Sequence, residues 1–313
     1  MKSKKPNKSD GTRVFIALIL CLLGFSRAAF ADAISLIGLG GAADYAVLGE
    51  GGTGTFDMSA EKVYQSATVI DGNVGMGPYT SLTHYVDATI NGRFDYDLTD
   101  DQAQVATQTA GSAISGGVHR IDLSGVVATA RTASHNAAAL APSQTFATLD
   151  QGVIFGGAGV NVIRITGDST IKTSLNISGS SSSIFIFQFT SSTTAGHNVL
   201  SLSGMTMNLL GGVQANNIIW DFDGAGGDIN INAMSDGQTV YGTFLAPERN
   251  ILSDHGIIDG RLIGGGSGAS LSIHSGSEIT TPSVPDGGST VMLLGLALAS
   301  FAGLKKFLKF CEV

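Results

Sequence analysis

Between residues 145 and 280 apolar and polar positions alternate in short runs broken by Gly, Ser, Asn or Asp: VNVIRITG, STIKTSLNISG, SSIFIFQFTSS, NVLSLSGMTMNLLGG, NNIIWDFDGAGGDININA, TVYGTFLAP, GIIDGRLIGGG and SLSIHSG. A period of two reads as β-strand. In Ile184-Phe185-Ile186-Phe187-Gln188-Phe189 one face is buried, and the intervening residues face outward or into a second layer. Rungs recurring at roughly 18 to 24 residues suit a β-solenoid, in which each coil buries its apolar face only by stacking on its neighbours. The repeat is imperfect, which leaves a sandwich or jelly roll as the alternative.

Residues 98–141 break this pattern. Thr99-Asp100-Asp101-Gln102 reads as an N-cap followed by acids in a first helical turn, continued by AQVATQTAGSA. Asp122 or Ser124 then opens VVATARTASHNAAAL, which stops before Pro142. The expectation is two Ala-rich helices joined by a Gly-containing turn, small enough to lie close against a sheet face. Upstream, Tyr45 to Arg93 is strand-like again, with AVLG, ATVIDGNVGMGP and DATINGRF.

Both ends of the chain are apolar for other reasons. Lys2, Lys4, Lys5, Lys8 and Arg13 precede an unbroken apolar run from Val14 to Phe25, and Ala29 and Ala31 supply the small residues that signal peptidase accepts. Residues 1–31 therefore read as a signal peptide, with the mature chain starting near Asp32; an uncleaved anchor is the alternative. At the other end Val291 to Leu304 would make roughly 21 Å of helix, short of a ~30 Å hydrocarbon core. Snorkelling Lys305, Lys306 and Lys309 could extend that span and hold its end in the cytoplasm. The domain reading is a β-solenoid body over 32–280 with its helical insert at 98–141. A linker and sorting segment over 281–290 follows, then a transmembrane helix with a basic tail over 291–313.

Removing the ends changes the charge. Nine of the 17 Lys+Arg but only two of the 25 Asp+Glu lie outside residues 32–286, so the body carries −15 against −8 for the whole chain. Such a body lacks the basic footprint that a nucleic-acid partner needs. Cys21 and Cys311 both fall in the ends, so the body holds no disulfide, thiol nucleophile or Cys-ligated metal. With 43 Gly against 6 Pro, many short strands joined by tight turns are expected.

Candidate chemistry is sparse. Asp221, Asp223 and Asp228 in DFDGAGGD are spaced as a weak Ca²⁺ loop could be, but Asp-Gly is ordinary turn chemistry and the later Glu of an EF-hand is missing. Asp95, Asp97, Asp100 and Asp101 form a second acidic cluster, accounted for by helix capping. His84, His119, His135, His197, His255 and His274 show no metal-binding spacing. Asp254-His255 with Asp259 and Arg261 has no Gly-x-Ser-x-Gly elbow to make it hydrolytic. Asn176-Ile177-Ser178 matches a glycosylation sequon, and Trp220 reads as core rather than a sugar platform. No catalytic residue and no cofactor beyond that calcium is expected.

Two family resemblances follow. Ala46-Val47-Leu48, Gly72-Asn73-Val74-Gly75, Ile184 to Gln188, Asn217 to Trp220, Tyr241 to Pro247 and Gly256 to Ile263 together resemble ice-binding-like β-solenoids and choice-of-anchor A surface domains over residues 43–275. This implies a mainly β protein, a discontinuous right-handed β-solenoid with a helix alongside, and no catalytic site. Val284-Pro285-Asp286-Gly287-Gly288, the apolar run and Lys305-Lys306 resemble the PEP-CTERM class of sorting signals in its Val-Pro-Asp variant. That implies an exosortase-like membrane transpeptidase as partner, with cutting near Pro285-Asp286. The expectation is an exported, non-enzymatic surface or matrix protein. A binder of ice or extracellular polysaccharide is the alternative, and a polysaccharide-active enzyme the third reading.

Overall fold

The structure, a computed structural model, describes residues 32–59, 68–78, 80–82, 88–150, 152–190, 197–232, 238–274 and 276–281. Ala29, Ala31, the sorting residues Val284 to Gly288, and Lys305, Lys306 and Lys309 lie outside the described residues. Among the described residues no helix is long and apolar enough to cross a membrane.

The chain enters through helix α1 (Ala33–Ile37) and a short 3-10 turn (Gly40–Asp44). There follow β1 (Tyr45–Gly49), β2 (Thr55–Ser59), β3 (Thr68–Asp71), β4 (Asn73–Met76), β5 (Ser81–Leu82), β6 (Ala88–Ile90) and β7 (Phe94–Asp97). The insert holds α2 (Gln102–Thr109), β8 (Ala113–Ile114), β9 (Val118–Ile121) and α3 (Ser124–Ala138). After it come β10 (Gln144–Phe146), β11 (Gly152–Phe155), β12 (Gly159–Ile165), β13 (Ser169–Ile171), β14 (Ser174–Ser178), β15 (Ser183–Phe189), β16 (Asn198–Ser203) and β17 (Thr206–Leu210). The last are β18 (Ile218–Asp221), β19 (Asp228–Asn232), β20 (Val240–Ala246), β21 (Ile251–Asp254), β22 (Ile257–Gly264), β23 (Leu271–His274) and β24 (Glu278–Thr280).

Successive strands such as β15, β16 and β17 fall in three different sheets, so each coil contributes to three faces. Face one runs β10-β12-β15-β18-β20-β22-β1-β4-β7-β9, and face two runs β13-β16-β19-β21-β23-β2-β5. Face three is β11-β14-β17 at one end and β24-β3-β6-β8 at the other. The ladders are parallel, as in β1 against β22 and β19 against β21, which rules out the antiparallel sandwich.

The stack is discontinuous. β1, the first strand among the described residues, lies in mid-stack between β22 and β4, with Val47 opposite both Leu262 and Val74. The chain builds outward to β9; α3 then carries it to β10 at the opposite end, and the remaining coils return to β22. Parallel pairing makes identical rows: Phe187, Trp220, Phe244, Leu262, Val47, Val74 and Phe94 stand in register along the inside of face one, each 0% exposed. Phe187 stacks on Trp220 at 4.4 Å and Trp220 on Phe244 at 5.5 Å, adding a preferred aromatic geometry to area burial.

The other side of face one is also buried. Ile184, Ile186, Ile219, Leu245, Ile263 and Leu48 meet Ala130, Ala133 and Ala137 of α3 and Ile37 of α1 in a second core. This is the second layer expected of the Ile184–Phe189 run, all of which is buried. Ala at these helix positions lets α3 lie close to the strands. Gln188 then closes the helix end: its Nε2 donates to the Ala137 and Leu140 carbonyls (2.8 Å each), and its Oε1 accepts from Arg164.

The insert differs from expectation in two respects. The N-cap of α2 is Asp101, which accepts from the Ala103 and Gln104 N–H groups. Thr99 is not that cap: Asp100 accepts from Thr80 and Asp97 instead, and Asp97 accepts from Leu123 at the start of α3. Asp122 accepts from Ser124, the first residue of α3. In place of a simple turn, β8 and β9 lie between the helices and complete the end coil by pairing with β6 and β7.

Candidate functional site

Among the described residues no helix is laid over face two in the way α3 covers face one, and its strands alternate buried and part-exposed positions. Leu200, Ile229, Ile251, Leu271 and Phe56 form one inward row, each at most 1% exposed. The residues between them face out, in rows set by the same register. Thr170, Ser201, Asn230, Leu252, Ser272 and Asp57 make one row. Ser203, Asn232, Asp254 and His274 make the next. Since neighbouring strands lie about 4.8 Å apart, each row presents a polar group at that repeat.

A hydrogen-bonded chain crosses the edge of this face. Asn198 stands opposite Asp228, whose Oδ1 accepts from Asn250 Nδ2 at 2.8 Å. Asn250 Oδ1 accepts from the Ser270 N–H at 2.7 Å, and Ser270 Oγ accepts from Thr55 Oγ1 at 2.6 Å. Asn198, Asp228, Asn250 and Ser270, with Asn230, Leu252 and Ser272, border a depression of about 340 Å³. The Oδ1 atoms of Asn230 and Asn232 are buried with no hydrogen-bond partner among the described residues. Those two oxygens face inward, so what the rows offer at the surface is small hydroxyl, amide and carboxylate side chains, with Leu252 the one apolar side chain in the central row.

The DFDGAGGD segment is the corner between face one and face two. Asp221 ends β18, is 1% exposed, and accepts from Ser134 Oγ of α3 at 2.6 Å. Burial pushes its carboxyl well above the usual range, against the opposing effect of the Ser134 hydrogen bond. Asp223 lies on the outside of the corner, with its Oδ2 3.7 Å from His135 Nδ1. Asp228 begins β19 and is engaged with Asn250. Among the described residues no three His, Cys, Asp or Glu side chains are gathered as metal ligands would be. The turn that carries Asp221, Asp223 and Asp228 is held by Arg249, whose Nε donates to the Gly224 carbonyl (2.9 Å) and Nη2 to the Asp223 carbonyl (3.4 Å).

The remaining candidates disperse. His255 Nδ1 meets Asp254 Oδ1 at 2.8 Å on a turn where His255 has φ 58°, while Arg261 Nε donates to the Ala43 carbonyl near α1. Asn176 lies on face three, accepting from Asn208. Trp220 is core, as the sequence suggested. Asn198, Asn250, Ser270 and Thr55 were not singled out from sequence; each lies one or two residues before an alternating run, and they become one edge only when the runs LSLS, DININ and LSIH are aligned.

An ice-binding-like adhesive domain is the family whose model matches residues 34–278, and a VPDSG-CTERM motif matches residues 283–306. In the latter Gly287 stands where the motif's name has Ser. No curated protein matches the chain. Among solved structures, an ice-binding protein from the Antarctic ascomycete Antarctomyces psychrotrophicus is 20% identical with a TM-score of 0.50, covering 77% of this chain and 96% of that one. One from an Antarctic bacterium of the Flavobacteriaceae is 18% identical (TM-score 0.51), covering 79% of this chain and 48% of that one. A glycosylated ice-binding protein from an Arctic yeast is 20% identical (TM-score 0.50), covering 80% and 96%. At such identities the likeness is one of fold.

Proposed function

The chain belongs to the ice-binding-like adhesive domain family, and from that premise we propose that it is an exported, non-enzymatic surface protein that adheres through face two to hydrated extracellular polysaccharide. The observation that carries this reading is the polar composition of the outward rows: Ser, Asn and Thr interspersed with Asp254 and His274. A surface built to press against a solid would bury the Asp254 carboxylate at a cost. Hydroxyl-rich chains, by contrast, can meet these side chains with hydrogen bonds while water fills the gaps. The sorting motif supports handling by an exosortase-like enzyme after export, with the apolar tail holding the body at the membrane in the interval.

Ice is the second reading. The regular strand repeat of face two favours it, as does the name of the solved proteins that share the fold. One pair of variants tests both. Ser201→Tyr with Ser272→Tyr raises two bulky rings from the central row without touching the inward rows. Retention of the purified protein on insoluble polysaccharide is expected to fall at least about tenfold, or by ~1.4 kcal/mol, with no change in melting temperature. If the parent protein shows thermal hysteresis and no retention on polysaccharide, and the variant loses the hysteresis, ice is the ligand.

A further inference from the structure

A second cavity, of about 210 Å³, opens on the other side of the corner that separates face one from face two. Its walls include Gln188, Phe189, Thr190, Asp221, Asp223 and Arg249. Three of the polar members are almost fully buried: Gln188 and Asp221 at 1% and Arg249 at 2% exposed. Their packing is fixed from behind, Gln188 by the end of α3, Asp221 by Ser134, and Arg249 by the carbonyls of the turn. Gly226 makes this possible, since a Cβ there would lie 2.6 Å from Arg249 Nη1.

We infer that this cavity binds one pyranose ring of a neutral polysaccharide, a site separate from the flat face. A pyranose presents hydroxyls that both donate and accept, around a carbon ring with an apolar side. The cavity sets carboxyl acceptors (Asp221, Asp223) and the Arg249 donor around the apolar Phe189 and Ala138, with Thr190 Oγ1, which donates to the Ile165 carbonyl, left to accept. Its volume is below the roughly 300 Å³ where pockets for drug-sized ligands begin, so it holds a single ring and not a longer piece. The charge of its lining is close to balanced: the Arg249 guanidinium faces Asp221 and Asp223, the first shifted toward its neutral form by burial, while Asp168, the third acid near Arg249, is not part of the lining. That favours an uncharged ligand over a cation or an anion.

The position adds a reason for a polysaccharide. Arg249 lines this cavity and Asn250, the next residue, lines the depression on face two; Asp223 and Asp228 are divided between the same two places. A chain lying across face two can turn its end residue over the corner. The inference rests on the polysaccharide reading above, and its test separates the two.

The test uses the purified mature protein with glucose, galactose, mannose and xylose as probes, followed by amide chemical-shift titration. At least one is expected to bind with Kd on the order of 1 mM, shifting the Thr190 and Ala225 amides. Ala225 is exposed at the rim, so Ala225→Trp fills the mouth while leaving the buried groups in place. It is expected to weaken the sugar at least about tenfold, whereas Ser201→Tyr with Ser272→Tyr leaves it unchanged. Asp223→Asn, also at the exposed rim, is expected to weaken it in the same direction. No shift at tens of millimolar of any of the four sugars, or binding that survives Ala225→Trp, overturns the inference. Retention of Ala225→Trp on insoluble polysaccharide would show in either case that face two acts independently.

Discussion

Glu50 follows β1 directly, its side chain 0% exposed, with Oε2 held by Arg131 Nε at 3.0 Å and Oε1 without a partner among the described residues. Burial outweighs the attraction of Arg131 and pushes its pKa up from 4.5 to about 7. The folded value lies above the unfolded one, so the native state holds the proton more tightly. Stability from this group is therefore full below about pH 4.5, declines as pH rises toward 7 and stays low above it. Glu50→Gln keeps the shape and removes the charge. It is expected to stabilise the protein by about 1–3 kcal/mol at pH 8 and to change little at pH 4, as read from urea unfolding at the two pH values. Destabilisation at pH 8 would mean that the Arg131 pair outweighs the cost of burial. None of this was visible in the sequence, where Glu50 simply precedes Gly51-Gly52. Its burial comes from Gly264 and α3, more than 80 positions away. The Asp221 to Asp228 segment was legible as a turn, but the cation that holds it was not: Arg249 arrives from a later coil.

At the scale of elements, strands with period-two alternation were readable wherever both neighbours in the stack exist, because the inward positions must then be apolar. That condition fails at the ends. Val118-His119-Arg120-Ile121 forms β9 on the last coil, is exposed throughout and shows no alternation to read. The placement of β1 between β22 and β4 was equally hidden, since parallel pairing across two hundred residues leaves no local mark. Helix α3 was legible from its Ala content and its stop before Pro142, yet its function as the strap across face one depends on Gln188, a polar residue in an apolar strand. Gln188→Ala leaves the Ala137 and Leu140 carbonyls uncapped and Arg164 without its acceptor. The expected cost is about 1–3 kcal/mol, with amide exchange in α3 accelerated more than in β19 or β21. Equal acceleration in face two would mean that the strap and the stack unfold as one unit, and that the helix cap has no separate role.

At the scale of the whole molecule, the body is a stack with one face strapped by helices and one left regular and polar, followed by a sorting motif. The strap puts its small apolar residues on face one, which leaves faces two and three open among the described residues, and the proposed reading assigns adhesion to face two and its corner. In the proposed reading an exosortase-like enzyme acts at the sorting motif matched over residues 283–306. Pro285→Ala with Asp286→Ala is accordingly expected to leave a larger, membrane-bound form in the native host. C-terminal mass spectrometry checks it: the parent protein should end near Pro285 or Asp286, and a parent still carrying Leu304 would make the segment a plain anchor. The central claim, that face two is the adhesive surface, is tested most directly by oxidative footprinting of the mature protein with and without bound polysaccharide. Protection is expected at Leu252 and along the β16, β19, β21 and β23 strands, with the exposed Val153 and Phe155 of face three unchanged. Protection of face three with Leu252 unaffected would contradict the account.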